Sequence, residues 1–127
     1  MNFLLDTHTL LWHLNADNRI SELAENIISN PQNKISVSIA SIWEISIKIS
    51  LKKLDFKGGT KKIIDTMNEN DFILQNVNPA HIWELEKLPL HHRDPFDRII
   101  VATAIAENWY LISKDENIAL YSVKTLW

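Results

Sequence analysis

The chain has 127 residues, no cysteine, 46% hydrophobic and 23% charged residues, and a formal net charge of −3. That length suits one domain spanning residues 1–127 around one core, and the absence of thiols excludes disulfides and thiolate zinc sites. No apolar run approaches the roughly 20 residues that cross a bilayer, and the opening lacks a basic leader, so the expectation is a cytoplasmic protein without membrane contact.

Residues 2–5 read as a short buried strand ending at Asp6, and residues 7–14 as a helix. A second helix over 21–29 stops at Asn30-Pro31, because the residue before a proline is pushed out of the helical region. Residues 35–38 alternate apolar and polar side chains and suit a second strand. Over 40–51, Ile42, Ile45 and Ile49 share one helical face. Gly58-Gly59 marks a loop, followed by a helix over 60–68 and a strand over 72–75. Asn78-Pro79 opens a helix with a cap and a first-turn proline, ending near Leu88-Pro89. Asp94-Pro95 opens another by the same device, running to about Glu107. Residues 110–113 and 123–125 finish as strands. Strands alternating with helices predict a three-layer α/β/α sandwich around a mostly parallel sheet, whose sites gather at the carboxyl ends of strands where the strand order reverses.

Four acids stand out, each with an ordinary structural role open to it. Asp6 suits a helix cap. Glu44 lies three residues after Ser41, the spacing of a capping box, and Asp97 lies three after Asp94. Asp115 falls in a polar loop. Their setting argues for more. Asp97 sits one turn into a helix that is almost wholly apolar from Ile99 to Ala106, and Glu44 interrupts Ile42-Trp43 and Ile45. Such helices are buried, so these carboxylates open into a pocket, where an unpaired charge is costly. Two carboxylates about 4 Å apart repel by about 4 kcal/mol at an effective dielectric near 20. A cluster is tolerable if some members are protonated or if a divalent cation sits among them. All-oxygen ligands select Mg²⁺ or Mn²⁺ over zinc.

Other residues fill in the picture. Neither histidine pair, His8 with His13 or His91 with His92, has the spacing of a helical zinc site; His8 and one of His91 or His92 are expected near the pocket mouth. Trp12, Trp43 and Trp109 fit core positions, and Trp127 has no evident role. Six of the thirteen basic residues fall between Lys48 and Lys62, a solvated helix end or a phosphate-tracking patch.

Taken in order, these stretches resemble the PIN-domain family, in particular its VapC-like toxins. Phe3-Leu4-Leu5-Asp6-Thr7-His8-Thr9-Leu10-Leu11-Trp12 is similar to a first motif, Ser41-Ile42-Trp43-Glu44-Ile45 to a second, and Ile112-Ser113-Lys114-Asp115 to a fourth, with Ser113 where the family usually has Thr. His92-Arg93-Asp94-Pro95-Phe96-Asp97-Arg98, continuing to Ala104, is similar to the third and is the most specific. The resemblance covers the whole chain. It implies that Asp6, Glu44, Asp97 and Asp115 are catalytic, metal-binding acids holding Mg²⁺ or Mn²⁺ for hydrolysis of an RNA phosphodiester. Thr7, Asp94 and Ser113 would support them, and Lys48, Lys52, Arg93 and Arg98 would hold flanking phosphates. It further implies a homodimer, a cognate antitoxin and possible larger toxin–antitoxin assemblies.

Three rival readings meet these residues differently. An aspartyl-nucleophile phosphatase needs an Asp two residues after Asp6, where His8 stands. A phospho-receiver needs a phosphorylatable Asp ending the third strand, where Asn76 stands. A catalytically inactive PIN-fold binding module is the stronger alternative, because fold alone proves no chemistry.

Overall fold

The computed structural model describes residues 1–127. Five strands form one sheet: β1 (Asn2–Leu5), β2 (Lys34–Ser38), β3 (Ile73–Gln75), β4 (Tyr110–Ile112) and β5 (Thr125–Leu126). Six helices join them: α1 (Thr7–Leu14), α2 (Glu22–Ser29), α3 (Ile39–Ser50), α4 (Gly59–Glu69), α5 (Pro79–Lys87) and α6 (Pro95–Glu107). The strand order is β3-β2-β1-β4-β5, with every pairing parallel. Parallel strands need both faces covered, and β1 shows it. Phe3 and Leu5 join a core with Leu10, Ala24, Ile45 and Ile63, from α1 to α4. Leu4 points the other way, into Ile100, Val101 and Ala104 of α6. The predicted three-layer sandwich is the observed one.

Local chemistry sets the helix starts. Asp6, Ser21, Ser38, Asn78 and Asp94 each accept a backbone N–H from the first turn of the helix that follows, satisfying donors that a helix leaves unpaired. At α5 the capping box is reciprocal, with His81 Nδ1 accepting from Asn78 N at 3.2 Å. Gly58 precedes α4 at φ +89°, and a Cβ there would stand 2.6 Å from Lys62 Cβ, so only glycine fits.

The helices fall close to their predicted spans, with three instructive departures. α3 begins at Ile39 under the Ser38 cap, so Ser41 and Glu44 lie inside the helix and form no capping box. Trp43 is 63% exposed rather than core. Ile42 and Ile45 define the inward face of α3, and Trp43 rotates outward to meet Phe96 edge-on. Between β4 and β5 a short 3-10 turn over Ile118–Leu120 carries the buried Ile118, a single apolar anchor too brief for periodicity to reveal.

The order reverses at β1: the chain moves outward through β2 to β3, then returns to place β4 on the other side. Leu5 aligns with both Val37 and Ile112, so Asp6, Ser38 and Ser113 leave three adjacent strands at one level. β3 is an edge strand, which puts Asn76 away from that point, unlike the third strand a receiver would need.

Leu4 is fully buried on the central strand. Leu4→Ala is expected to lower unfolding stability by about 2–5 kcal/mol, measured by urea denaturation. A loss below about 1 kcal/mol would show that α6 collapses onto the gap, contrary to a tightly filled layer.

Candidate functional site

The crevice above β1 and β4 is built from four parts of the chain. Asp6 is 3% exposed. Its Oδ1 accepts from Thr9 N at 2.8 Å and its Oδ2 from the Ser113 hydroxyl at 2.5 Å. The carboxylate therefore caps α1 and also ties β1 to β4. Thr7, next along, donates to Glu44 Oε1 at 2.8 Å and lies 3.0 Å from Ser41 Oγ, docking α3 against the end of β1. Glu44 is 5% exposed, and its other oxygen meets Lys48 Nζ at 3.0 Å. Asp115 is held by its N–H to Ser113 Oγ and by Asn117 N to its Oδ1.

Asp97 stands in the first turn of α6, just inside the Asp94 cap, which accepts from Phe96 N and Asp97 N. Burial first, then the nearby charges of Asp94, Glu44 and Asp6, push the Asp97 carboxyl up to about 7, against a weaker opposing pull from His92. Burial also raises the Asp6 carboxyl, although the Ser113 and Thr9 hydrogen bonds work against it. The field at Asp97 places three of the four predicted acids in one electrostatic neighbourhood, and His92 adds the fourth.

That histidine is the component sequence reasoning undervalued. His92 Nε2 lies 3.0 Å from Asp97 Oδ2 and 3.5 Å from Asp115 Oδ2. Asp94 N donates to its Nδ1 at 3.3 Å, which leaves the ring proton on Nε2, aimed at the two acids. Tyr121 and Arg98 fix the segment that carries it: Tyr121 Oη accepts from His92 N at 2.9 Å, and Arg98 Nη1 donates to Pro89 O and Tyr121 Oη. The signal in the sequence was the position of His92 five residues before Asp97, in the most specific motif.

Of the basic residues expected at phosphates, Lys48 is paired with Glu44 and Arg98 is engaged in that tether. Lys52 and Arg93 are exposed, Lys52 at φ +57° just past the end of α3. His8 stands at the mouth as expected, lining a cavity with Asp6 and Asp115. His81 was not singled out; it is fully buried, with Nε2 2.8 Å from Glu107 Oε1, and joins α5 to α6.

The donor set suits a hard divalent cation. Asp97 and Asp115 offer carboxylate oxygens within 4.8 Å of each other, with the Nε2 edge of His92 facing both, and Asp6 and Glu44 lie outside that group but near enough for their charge to raise the Asp97 carboxyl. The Asp97 carboxyl keeps its proton to about 7 first because it is buried and then because the neighbouring acids outweigh His92. Mg²⁺ or Mn²⁺ held there would offset the acids' repulsion.

Comparison with known proteins places the fold. A family model for the PIN domain matches residues 3–124. The chain is similar in structure to VapBC2 from Rickettsia felis bound to a promoter DNA fragment, with TM-score 0.76 and 16% identity, over 99% of this chain and 98% of that one. It is also similar to VapBC-1 from nontypeable Haemophilus influenzae, with TM-score 0.70 and 17% identity over 99% and 97%. For VapBC-5 from Mycobacterium tuberculosis the TM-score is 0.58, at 17% identity over 94% and 89%. No curated protein sequence matches the chain.

The pH dependence has a definite sign. Folded Asp97 keeps its proton to about 7, against 3.8 for an unperturbed carboxyl, so the folded state binds more protons between those values. Stability that Asp97 withholds from the metal-free protein therefore grows as pH rises through that window. In EDTA, Asp97→Asn should melt increasingly above wild type from about pH 4 to 7, followed by circular dichroism. A constant gap across the window would contradict the raised Asp97 carboxyl.

Proposed function

The chain belongs to the PIN domain family, and from that premise we propose that it is a Mg²⁺- or Mn²⁺-dependent endoribonuclease, the VapC-type toxin of a toxin–antitoxin pair. The observation that supports this reading is the grouping of Asp97 and Asp115 around His92 at the carboxyl end of the sheet, with Asp6 and Glu44 near enough to help raise the Asp97 carboxyl to about 7. The family and the likeness to VapBC structures support it.

When bound, a divalent ion supplies an activated water and charge stabilisation for phosphodiester hydrolysis. The chain's own residues do the positioning. Asp6 and Asp115 are fixed through Ser113, Glu44 through Thr7, and Asp97 through its place beside the Asp94 cap. His92, with its proton on Nε2, is placed to hold Asp97 and Asp115 apart from bulk water and to exchange a proton with either. Exposed Arg93 and Lys52 are available to flanking phosphates, which position a strand without reading its sequence. In this proposal the protein acts in the cytoplasm as a homodimer, held inactive by a cognate antitoxin and able to join larger toxin–antitoxin assemblies. No helix is long and apolar enough to cross a membrane.

One observation favours the competing reading, a PIN-fold binding module without chemistry. Every buried side-chain nitrogen and oxygen already has a hydrogen-bond partner, so the fold closes without an ion. Incubation of purified protein with structured RNAs separates the two. Cleavage should require Mg²⁺ or Mn²⁺, vanish in EDTA and be lost in Asp6→Asn with the fold intact. Thr7→Ala and Ser113→Ala should each lower the rate by about 10–100-fold, the usual effect of removing a group that orients a metal ligand. Cleavage indifferent to EDTA, or retained in Asp6→Asn, would refute the metal site. Without activity in any divalent metal, the binding-module reading stands.

A second readout needs no catalysis. Millimolar Mg²⁺ or Mn²⁺ should raise the melting midpoint of wild type near neutral pH and move Asp97→Asn much less. Equal shifts in both proteins would place the ion elsewhere.

A further inference from the structure

Beside the acidic centre lies a cavity of about 380 Å³ lined by Asp6, His8, Trp12, Lys114, Asp115 and Glu116. That volume is within the range of small-ligand pockets. Trp12, expected in the core, is only partly buried. One helical turn separates it from the exposed His8, and the two rings stack with centroids 5.7 Å apart and planes 19° from parallel. Trp127 meets Trp12 edge-on at 5.7 Å. Two cations flank the indole: Arg19 Cζ at 5.2 Å and Lys114 Nζ at 6.0 Å from the ring centroid.

Charge decides what such a cavity takes. Asp6, Asp115 and Glu116 line it against one cation, Lys114, so a phosphate is favoured only beside Lys114 and is repelled among the acids. An uncharged planar group is not, and the histidine–indole stack offers it a π-face. Single-stranded RNA is recognised in this way, its unstacked bases lying on aromatic or histidine rings while cations hold the adjoining phosphates. We propose that this cavity is a nucleobase subsite. In it the His8–Trp12 stack receives one base of single-stranded RNA next to the acidic centre, and Lys114 holds the phosphate beside that base. The subsite gives the exposed His8, the partly buried Trp12 and the packing of Trp127 a common purpose, and it rests on the RNA reading above.

The test is a binding cycle on the full chain in EDTA, where nothing is cut, with a short fluorescein-labelled single-stranded RNA followed by anisotropy. One abasic position is walked along the oligomer. His8→Ala, which removes the exposed ring stacked on Trp12 and is checked for an unchanged fold by circular dichroism, should weaken binding by roughly tenfold, as should removal of one particular base. The two changes together should lose little more than either alone, because they delete the same contact. Lys114→Gln should reduce the slope of log affinity against log salt by about 0.7, and His8→Ala should leave that slope unchanged. Wild-type affinity in His8→Ala, losses that simply add, or no binding by the wild type would overturn the subsite. The nuclease reading is judged separately. Metal-dependent cleavage with an additive cycle removes only the subsite, and a coupled cycle without cleavage removes only the nuclease.

Discussion

Buried negative charge governs the organisation of the site. At the carboxyl edge of the central strands, burial and three neighbouring acids hold the Asp97 proton to about pH 7, and Asp6 is buried almost completely beside it. A fold stabilised by only about 5–15 kcal/mol cannot leave such charges unpartnered. The surrounding polar residues are arranged accordingly: Ser113 donates to Asp6, Thr7 and Lys48 attend Glu44, and His92 bridges Asp97 and Asp115.

Most of these groups serve two ends at once. Asp6 caps α1 and joins two strands, and Asp94 caps α6 while it raises the field at Asp97. Thr7 docks α3 and orients a carboxylate. For that reason the ordinary structural reading of Asp6 and the chemical one are both true of the same atoms. Capping does not exclude chemistry; it is the means by which the side chain is held still. The tether of Arg98 and Tyr121 extends the same logic outward, spending a guanidinium on placing the segment that carries His92.

Periodicity and caps made most of the architecture legible. The apolar strand before Asp6, the Asn78-Pro79 and Asp94-Pro95 openings and the apolar run of α6 all appear where neighbouring residues demand them. The errors fall where a side chain's direction depends on more than its neighbours. The Ser41–Glu44 spacing alone allowed a capping box, and Trp43 read as core for its size, whereas the Ser38 cap puts both acid and serine inside α3 and packing turns the indole outward. Lys48 and Arg98 read as free cations because their partners, a buried carboxylate and a distant tyrosine hydroxyl, are chosen by packing.

The sequence by itself determined the helix starts, the alternation of strands and helices, and the four acids worth watching. Each of these depends on interactions among residues a few places apart, which composition and spacing encode. Tertiary structure alone decided that Ser113 reaches across 107 positions to Asp6, and that His92 stands between Asp97 and Asp115. It also decided that His8 and Trp12 open beside them. Such contacts follow from strand order and register, and a parallel sheet sets both through pairings between distant segments that local sequence does not specify.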